Sequence, residues 1–272
     1  MPIPVKSLII SWRTIGLSLL LSVVVGLAAV SEPIDRIIEA AVGSVAWRPV
    51  SGDIVVVGID DRTLQSVEDR EFNVTRHAQL ISAIDASPAN RLFVDFSYQR
   101  RLKDPDFPKL VKAVRHMGER IVLAVPGSNT AGTTAVVDHW PDPAFGTRAK
   151  QACICWEYDF WQVWRVPLAV SANGRLLPSF SAMLADRHPD RPEIFFLDLS
   201  YDTKTITQYS AIDLISGKLD PEVLRGKDVI FAPTATASPD QHYLPGHDKV
   251  HGAFIHLIAG EALKRGNPVD IG

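Results

Sequence analysis

The sequence predicts an α/β domain, with a mostly parallel or mixed sheet that has helices on both faces, preceded by an N-terminal transmembrane helix. Short apolar runs rich in Val, Ile and Phe, which are typical of buried strands, recur at 54–59, 92–96, 121–125, 194–199 and 229–231. Segments with helical spacing of apolar residues separate several of these runs. An uncharged apolar run at 14–30 predicts the transmembrane helix.

The run at 14–30 determines where we expect the rest of the chain to lie. Its 17 residues span roughly 25 Å as a helix, close to a hydrocarbon core of about 30 Å. Because Lys6 and Arg13 precede it, we expect a cytoplasmic N-terminus and a single-pass inner-membrane protein whose globular domain is periplasmic or extracellular. A cleaved signal peptide is the alternative, since 28–31 loosely fits a signal peptidase site, and it also places the domain beyond the membrane.

Apolar residues at helical spacing follow the anchor and end before Pro49, which predicts a stalk helix between membrane and domain. The predicted organisation is an N-terminus and anchor, a stalk, an extracytoplasmic domain and a short tail, at 1–32, 33–50, 51–266 and 267–272.

Within the domain, three segments have helical spacing and each is followed by Pro or Gly: 80–84, 110–117 and 254–263. The segment 126–161 is rich in Gly, Thr, Pro and Asp. It interrupts the alternation of strand and helix, and we expect long loops or a β-ribbon there.

Composition excludes some classes of protein and partner. The chain has 272 residues, 46% of them hydrophobic and 22% charged, which suits a globular domain with a sizeable core. A net charge of −3 without a basic stripe does not favour a nucleic-acid partner. Cys153 and Cys155 are expected on one strand with poor bridging geometry, so buried thiols are favoured, and a disulfide is the alternative.

Two aspartates end predicted strands, and they are the first candidates for a binding site. Asp60 and Asp95 each close an apolar run, and Asp61 follows directly. Because ligands of parallel sheets bind outside the carboxyl ends of the strands, these carboxylates are predicted to recognise a small solute in one crevice. The structural alternative is that they cap helices or pair with Arg76.

A second group of polar residues lies near the C-terminus, where Asp240 and Asp248 accompany four histidines: His242, His247, His251 and His256. Their spacing does not match the HExxH zinc motif, so we predict loop and core histidines and no metal or cofactor; a zinc or copper site is the alternative. Nucleophile-elbow, P-loop and dinucleotide-binding motifs are absent from the sequence, so no enzyme is predicted. A periplasmic hydrolase that uses Thr234 or Ser238 with His242 and Asp240 is the enzymatic alternative.

Seven segments follow the order of a known family: DIVVVGIDDRTL at 53–64, TRHAQL at 75–80, LFVDF at 92–96, WRVPL at 164–168, LPSFS at 177–181, LRGKDVI at 224–230 and HGAFIH at 251–256. Together they resemble the CHASE domains of class 2, the extracellular sensory modules of bacterial cyclases and histidine kinases. Pro233 and Phe254 depart from the family's usual Gly and Glu.

The resemblance implies a membrane-anchored extracytoplasmic sensory domain of a bacterial signalling protein, and no output domain is expected in this chain. It draws attention to Arg76 in the second segment and to Asp240 after the sixth. The predicted ligand-binding residues are therefore Asp60, Asp61, Arg76, Asp95 and Asp240. Expected partners are a small-molecule or envelope ligand, the membrane, and a second copy or a signalling protein. An exported scaffold that binds no small molecule is the alternative.

Overall fold

The computed structural model describes residues 12–27, 47–68, 71–98, 104–131, 133–137, 139–159 and 162–266. Most of the predicted stalk and all of the predicted C-terminal tail lie outside these ranges.

A six-stranded sheet forms the centre of the domain. Its strands are β1 (Ile54–Ile59), β2 (Arg91–Val94), β3 (Ile121–Val125), β6 (Lys150–Cys153), β11 (Gln208–Ser210) and β12 (Asp228–Pro233). Their order is β11-β1-β12-β2-β3-β6 and every pairing is parallel. All residues of β1 and β3 are buried, because both faces of the sheet are covered.

Helices cover both faces of this sheet, as predicted. On one face α2 (Asp61–Gln65), α3 (Val74–Asp85), α4 (Phe107–Met117) and α6 (Ala211–Ile215) lie over side chains such as Val55 and Val57. On the other, α5 (Phe180–Leu184) and α7 (Gly252–Arg265) lie over Ile54 and Val56. Alternate residues of one strand therefore enter two separate cores.

The apolar N-terminal run forms α1 (Trp12–Leu27), a helix of 16 residues. Its described side chains are exposed, Leu17 by 70% and Leu21 by 63%. Among the described residues, none of the helices reaches the length and apolar character that crossing a membrane requires.

A second, mixed sheet surrounds the long strand β8 (Gln162–Ala172). Its other strands are β4 (Ser128–Ala131), β5 (Thr134–Val136), β7 (Glu157–Asp159), β9 (Arg175–Pro178), β10 (Glu193–Phe196), β13 (Gln241–Tyr243) and β14 (Lys249–His251). The antiparallel pair of β4 and β5 is the β-ribbon expected within 126–161.

Two expectations about strands were wrong. The run at 194–199 was expected to be a buried strand, whereas β10 is half-buried and pairs with β8 in the mixed sheet. The two cysteines do not share a strand, because β6 ends at Cys153 before the chain reaches Cys155. Their Cα atoms are 5.3 Å apart and the two form a disulfide, a separation within the range that disulfides require. The favoured interpretation as buried thiols is therefore corrected.

Candidate functional site

The carboxyl edge of the central sheet holds the predicted aspartates, and Asp60 has a structural role there. It is the N-cap of α2, since its carboxylate accepts a hydrogen bond of 2.8 Å from the backbone N–H of Thr63. The Ser210 hydroxyl donates a second bond of 2.8 Å to the same oxygen. The capping alternative therefore describes Asp60.

Asp61 is held on the exposed side of the same edge. The Thr236 backbone N–H and hydroxyl both donate to its carboxylate, the N–H at 3.2 Å from Oδ1. These hydrogen bonds, the one from the hydroxyl first, lower the pKa of Asp61, and the charge of His251 acts in the same direction. Asp61 therefore stays ionised, and it interacts electrostatically with His251.

Asp95 is the buried carboxylate of the edge, with 9% of its surface exposed. Its backbone N–H donates to the Phe231 carbonyl at 2.8 Å. Among the described residues no group donates a hydrogen bond to its carboxylate. Burial raises the pKa of Asp95 well above its usual range, and the nearby charge of Asp240 raises it further.

Asp240 lies just before β13 and against the N-terminus of α7. His242 Nε2 lies 2.8 Å from Asp240 Oδ1. A Cβ atom added at Gly252, the first residue of α7, would meet Asp240 Oδ1 at 2.7 Å and Trp156 Cη2 at 2.8 Å. The missing side chain at Gly252 therefore lets the carboxylate and the indole come together at the helix start.

His256, one turn further along α7, is completely buried. Neither ring nitrogen has a hydrogen-bond partner among the described residues. The ring lies 5.0 Å from that of Trp156 and 5.4 Å from that of Phe180, centroid to centroid. Burial lowers the pKa of His256 to about 3, although the charge of Asp240 opposes this shift. The imidazole is therefore neutral at physiological pH.

His251 connects this group to an open pocket. Burial lowers its pKa, and the charges of Asp240 and Asp61 oppose the shift. The pocket holds about 570 Å³, and its wall includes Trp47, Gln208 and His251. We call the following six residues the acid–histidine cluster: Asp61, Asp95, Asp240, His242, His251 and His256.

Three of the five predicted ligand residues thus belong to one cluster, and two do not. Asp61, Asp95 and Asp240 are brought together, whereas Asp60 caps a helix. Arg76 lies in the first turn of α3, a helix that packs on the opposite face of the sheet. Its backbone N–H donates to Asn73 Oδ1 at 3.1 Å, and nothing described places its side chain near the cluster.

The geometry does not assemble the residues of the hydrolase alternative. Asp240 lies on one nitrogen of His242, and the Tyr158 hydroxyl lies 2.5 Å from the other, Nδ1. Ser238 Oγ instead accepts the Asp240 backbone N–H at 3.2 Å. Within the described part of the chain, no group of three or more His, Cys, Asp or Glu side chains could hold a metal ion.

The comparison with protein families decides the class of this domain. A family model described as the CHASE2 domain matches residues 18–267. The chain belongs to the CHASE2 family. CHASE2 domains are extracellular sensory domains of signalling proteins rather than catalytic ones, and the resemblance noted in the sequence is thereby confirmed. Comparisons with curated proteins and with solved structures gave no match.

Proposed function

We propose that this CHASE2 protein is a membrane-anchored extracytoplasmic sensor that binds a small ligand at the acid–histidine cluster. One observation carries the proposal: the ring nitrogens of His256 are fully buried without a described partner. Asp95, nine-tenths buried at the same edge, accepts no hydrogen bond from a described residue at its carboxylate. An unsatisfied buried polar group costs about 1–3 kcal/mol. A ligand that satisfies both groups offsets that cost.

The position of the cluster also suits signalling, because its residues come from different parts of the fold. Asp95 follows β2 of the central sheet, whereas Asp240 precedes the β13–β14 hairpin of the mixed sheet. A ligand in contact with both favours one arrangement of the hairpin and α7 against the central sheet. Such a preference shifts the population between two states, which is the physical basis of sensing.

Thermal unfolding of the full chain with a panel of small solutes tests ligand binding. A ligand present at 100 times its Kd stabilises a protein by about 2.7 kcal/mol, or roughly 5–10 °C in Tm for a domain of this size. We expect this shift to be lost in Asp95→Asn. It should persist in Asp53→Asn, an exposed aspartate at the opposite edge of the sheet. If no solute raises Tm, the sensor proposal is wrong and the scaffold alternative is favoured.

We also propose that residues 14–30 anchor the protein in the inner membrane, with the domain on the periplasmic or outer side. The run contains no charged residue, and both Lys6 and Arg13 precede it. Leucine side chains of α1 are exposed on several sides, and lipid would cover them. A single helix transmits a signal by moving against another, so we propose contact with a second copy or a signalling partner.

Extraction of membranes at alkaline pH tests the anchor. An Arg at the centre of a span costs about 3 kcal/mol relative to Leu. Leu20→Arg should therefore release part of the protein from the membrane fraction, whereas Leu176→Arg, at an exposed leucine of β9, should leave it in the pellet. Equal retention of both variants would contradict the anchor.

A further inference from the structure

We infer that the ligand of the acid–histidine cluster is a small organic amine whose ammonium group lies between Asp95 and Asp240. This inference rests on the proposed function and names the chemical class that the site selects.

The first argument is the set of free hydrogen-bonding atoms. Asp240 Oδ1 is engaged by His242, while its Oδ2 has no hydrogen bond from a described residue. No described residue donates to either oxygen of Asp95, which is 9% exposed. A neutral His256, whose buried ring nitrogens have no described partner, offers one further acceptor nitrogen. The free groups at the cluster are therefore mainly acceptors. An ammonium group supplies three donors and no acceptor, which matches this set.

The second argument is charge. The electrostatic neighbour of Asp95 is another carboxylate, Asp240, and no described Lys or Arg acts on it. Two neighbouring carboxylates repel each other when both are ionised. A bound cation removes that repulsion and permits both to be charged, whereas an anion would add to it.

The third argument is the aromatic surroundings of the cluster. Trp156 lies beside the Asp240 carboxylate, and the His242 and His256 rings lie 4.6 and 5.0 Å from the Trp156 ring. The face of an indole attracts a cation, most strongly where water is excluded. Ligation of a metal ion is not favoured, because the described side chains provide no group of three suitable ligands.

The pocket beside the cluster could hold the rest of the ligand, beyond its ammonium group. Its wall shares His251 with the cluster, and Trp47 stacks on His247 in the same wall with centroids 5.5 Å apart. Lys204 and Lys249 also line it, together with Asp202 and Asp248, so these charges balance. The ammonium group is therefore assigned to the cluster, and the pocket holds the body of the amine.

Calorimetric titration of the full chain with matched pairs of compounds tests this inference. The pairs are n-butylamine with n-butanol, and 2-phenylethylamine with 2-phenylethanol, which differ in charge but hardly in shape. We expect saturable binding of the amines and none of the alcohols. Hydrogen bonds to a charged group contribute about 1.5–3 kcal/mol each, so Asp95→Asn and Asp240→Asn should each weaken amine binding about ten- to hundredfold.

Controls separate this inference from the broader proposal. Asp53→Asn should bind amines as the wild type does, and far-ultraviolet circular dichroism should show that all three variants fold. Equal binding of alcohol and amine, or amine binding unaffected by both cluster variants, overturns the amine inference. If the amines do not bind but a neutral solute raises Tm in the wild type and not in Asp95→Asn, the amine inference is wrong and the sensor proposal still holds. If no compound binds, both are overturned.

Discussion

The buried imidazole of His256 makes the stability of the domain depend on pH in a way that can be measured. Its pKa is about 3 in the folded protein, against an ordinary value of about 6.5. Between pH 6.5 and pH 3, His256 is protonated in the unfolded chain but stays neutral in the folded chain. The free energy of unfolding must therefore fall as the pH falls from 6.5 towards 3.

The size of this effect follows from the pKa difference. A difference of about 3.5 units corresponds to about 5 kcal/mol at its full extent, with a slope of about 1.4 kcal/mol per pH unit. The raised pKa of Asp95 acts in the opposite direction, since its folded form holds a proton that the unfolded form releases as the pH rises. Both the wild type and a variant at His256 retain Asp95, so the contribution of Asp95 cancels in the difference between their free energies of unfolding.

Replacing His256 by Phe isolates the contribution of the imidazole. Phe fills a similar space between Trp156 and Phe180 and removes two unpartnered nitrogens. His256→Phe should be at least as stable as the wild type at pH 7, because the cost of the unsatisfied nitrogens disappears. Between pH 6 and pH 4 its advantage should grow by about 1.4 kcal/mol per unit.

Urea unfolding of both proteins at pH 7, 6, 5 and 4, followed by tryptophan fluorescence, provides the assay. His188→Phe is the matched control, since His188 is exposed and should not alter the slope. If the free energies of unfolding of wild type and His256→Phe run parallel over this range, the account of a buried neutral imidazole is refuted.

Further predictions concern stability and are checked by urea unfolding at pH 7. Gly58→Ala should lower the free energy of unfolding by about 1–3 kcal/mol, because the new Cβ would clash with Thr234 Oγ1. Unchanged stability would refute this close approach. Arg91→Ala should lower the free energy of unfolding by about 3–5 kcal/mol. In the wild type the Arg91 guanidinium lies 2.6 Å from the buried Asp228 carboxylate, and the substitution leaves that carboxylate without its cation. A loss below 1 kcal/mol would contradict this prediction. Reduction of the Cys153–Cys155 disulfide should lower the free energy of unfolding by only about 1.5 kcal/mol, because the loop it closes is very short. Complete unfolding on reduction would contradict this prediction.

The central sheet could be predicted from the sequence because its inner strands are covered on both faces. Such strands consist of continuous apolar residues, so the run at 54–59 coincides with β1. β11 could not be predicted in the same way, since Gln208–Ser210 is short, polar and only partly buried. The pairings of the mixed sheet depend on long-range contacts that no local pattern specifies.

The candidate site was predictable in its location but not in its composition. Because Asp60 and Asp95 each follow an apolar run, the sequence predicts both at the carboxyl edge of the central sheet. A helix begins directly after Asp60 and uses its carboxylate as a cap, whereas no helix follows Asp95 directly and no described residue donates to its carboxylate. The meeting of Asp95 with Asp240 and His256 depends on where the β13–β14 hairpin lies, which the sequence pattern does not specify.

The location of the domain is the claim on which the proposed function depends most. Alkaline phosphatase and a fluorescent protein, each fused after Gly266 in a bacterial host, measure it directly, because the phosphatase is active only outside the cytoplasm and the fluorescent protein mainly inside. We expect an active phosphatase fusion and a dark fluorescent fusion. A bright fluorescent fusion with an inactive phosphatase would place the domain in the cytoplasm and contradict an extracytoplasmic sensor.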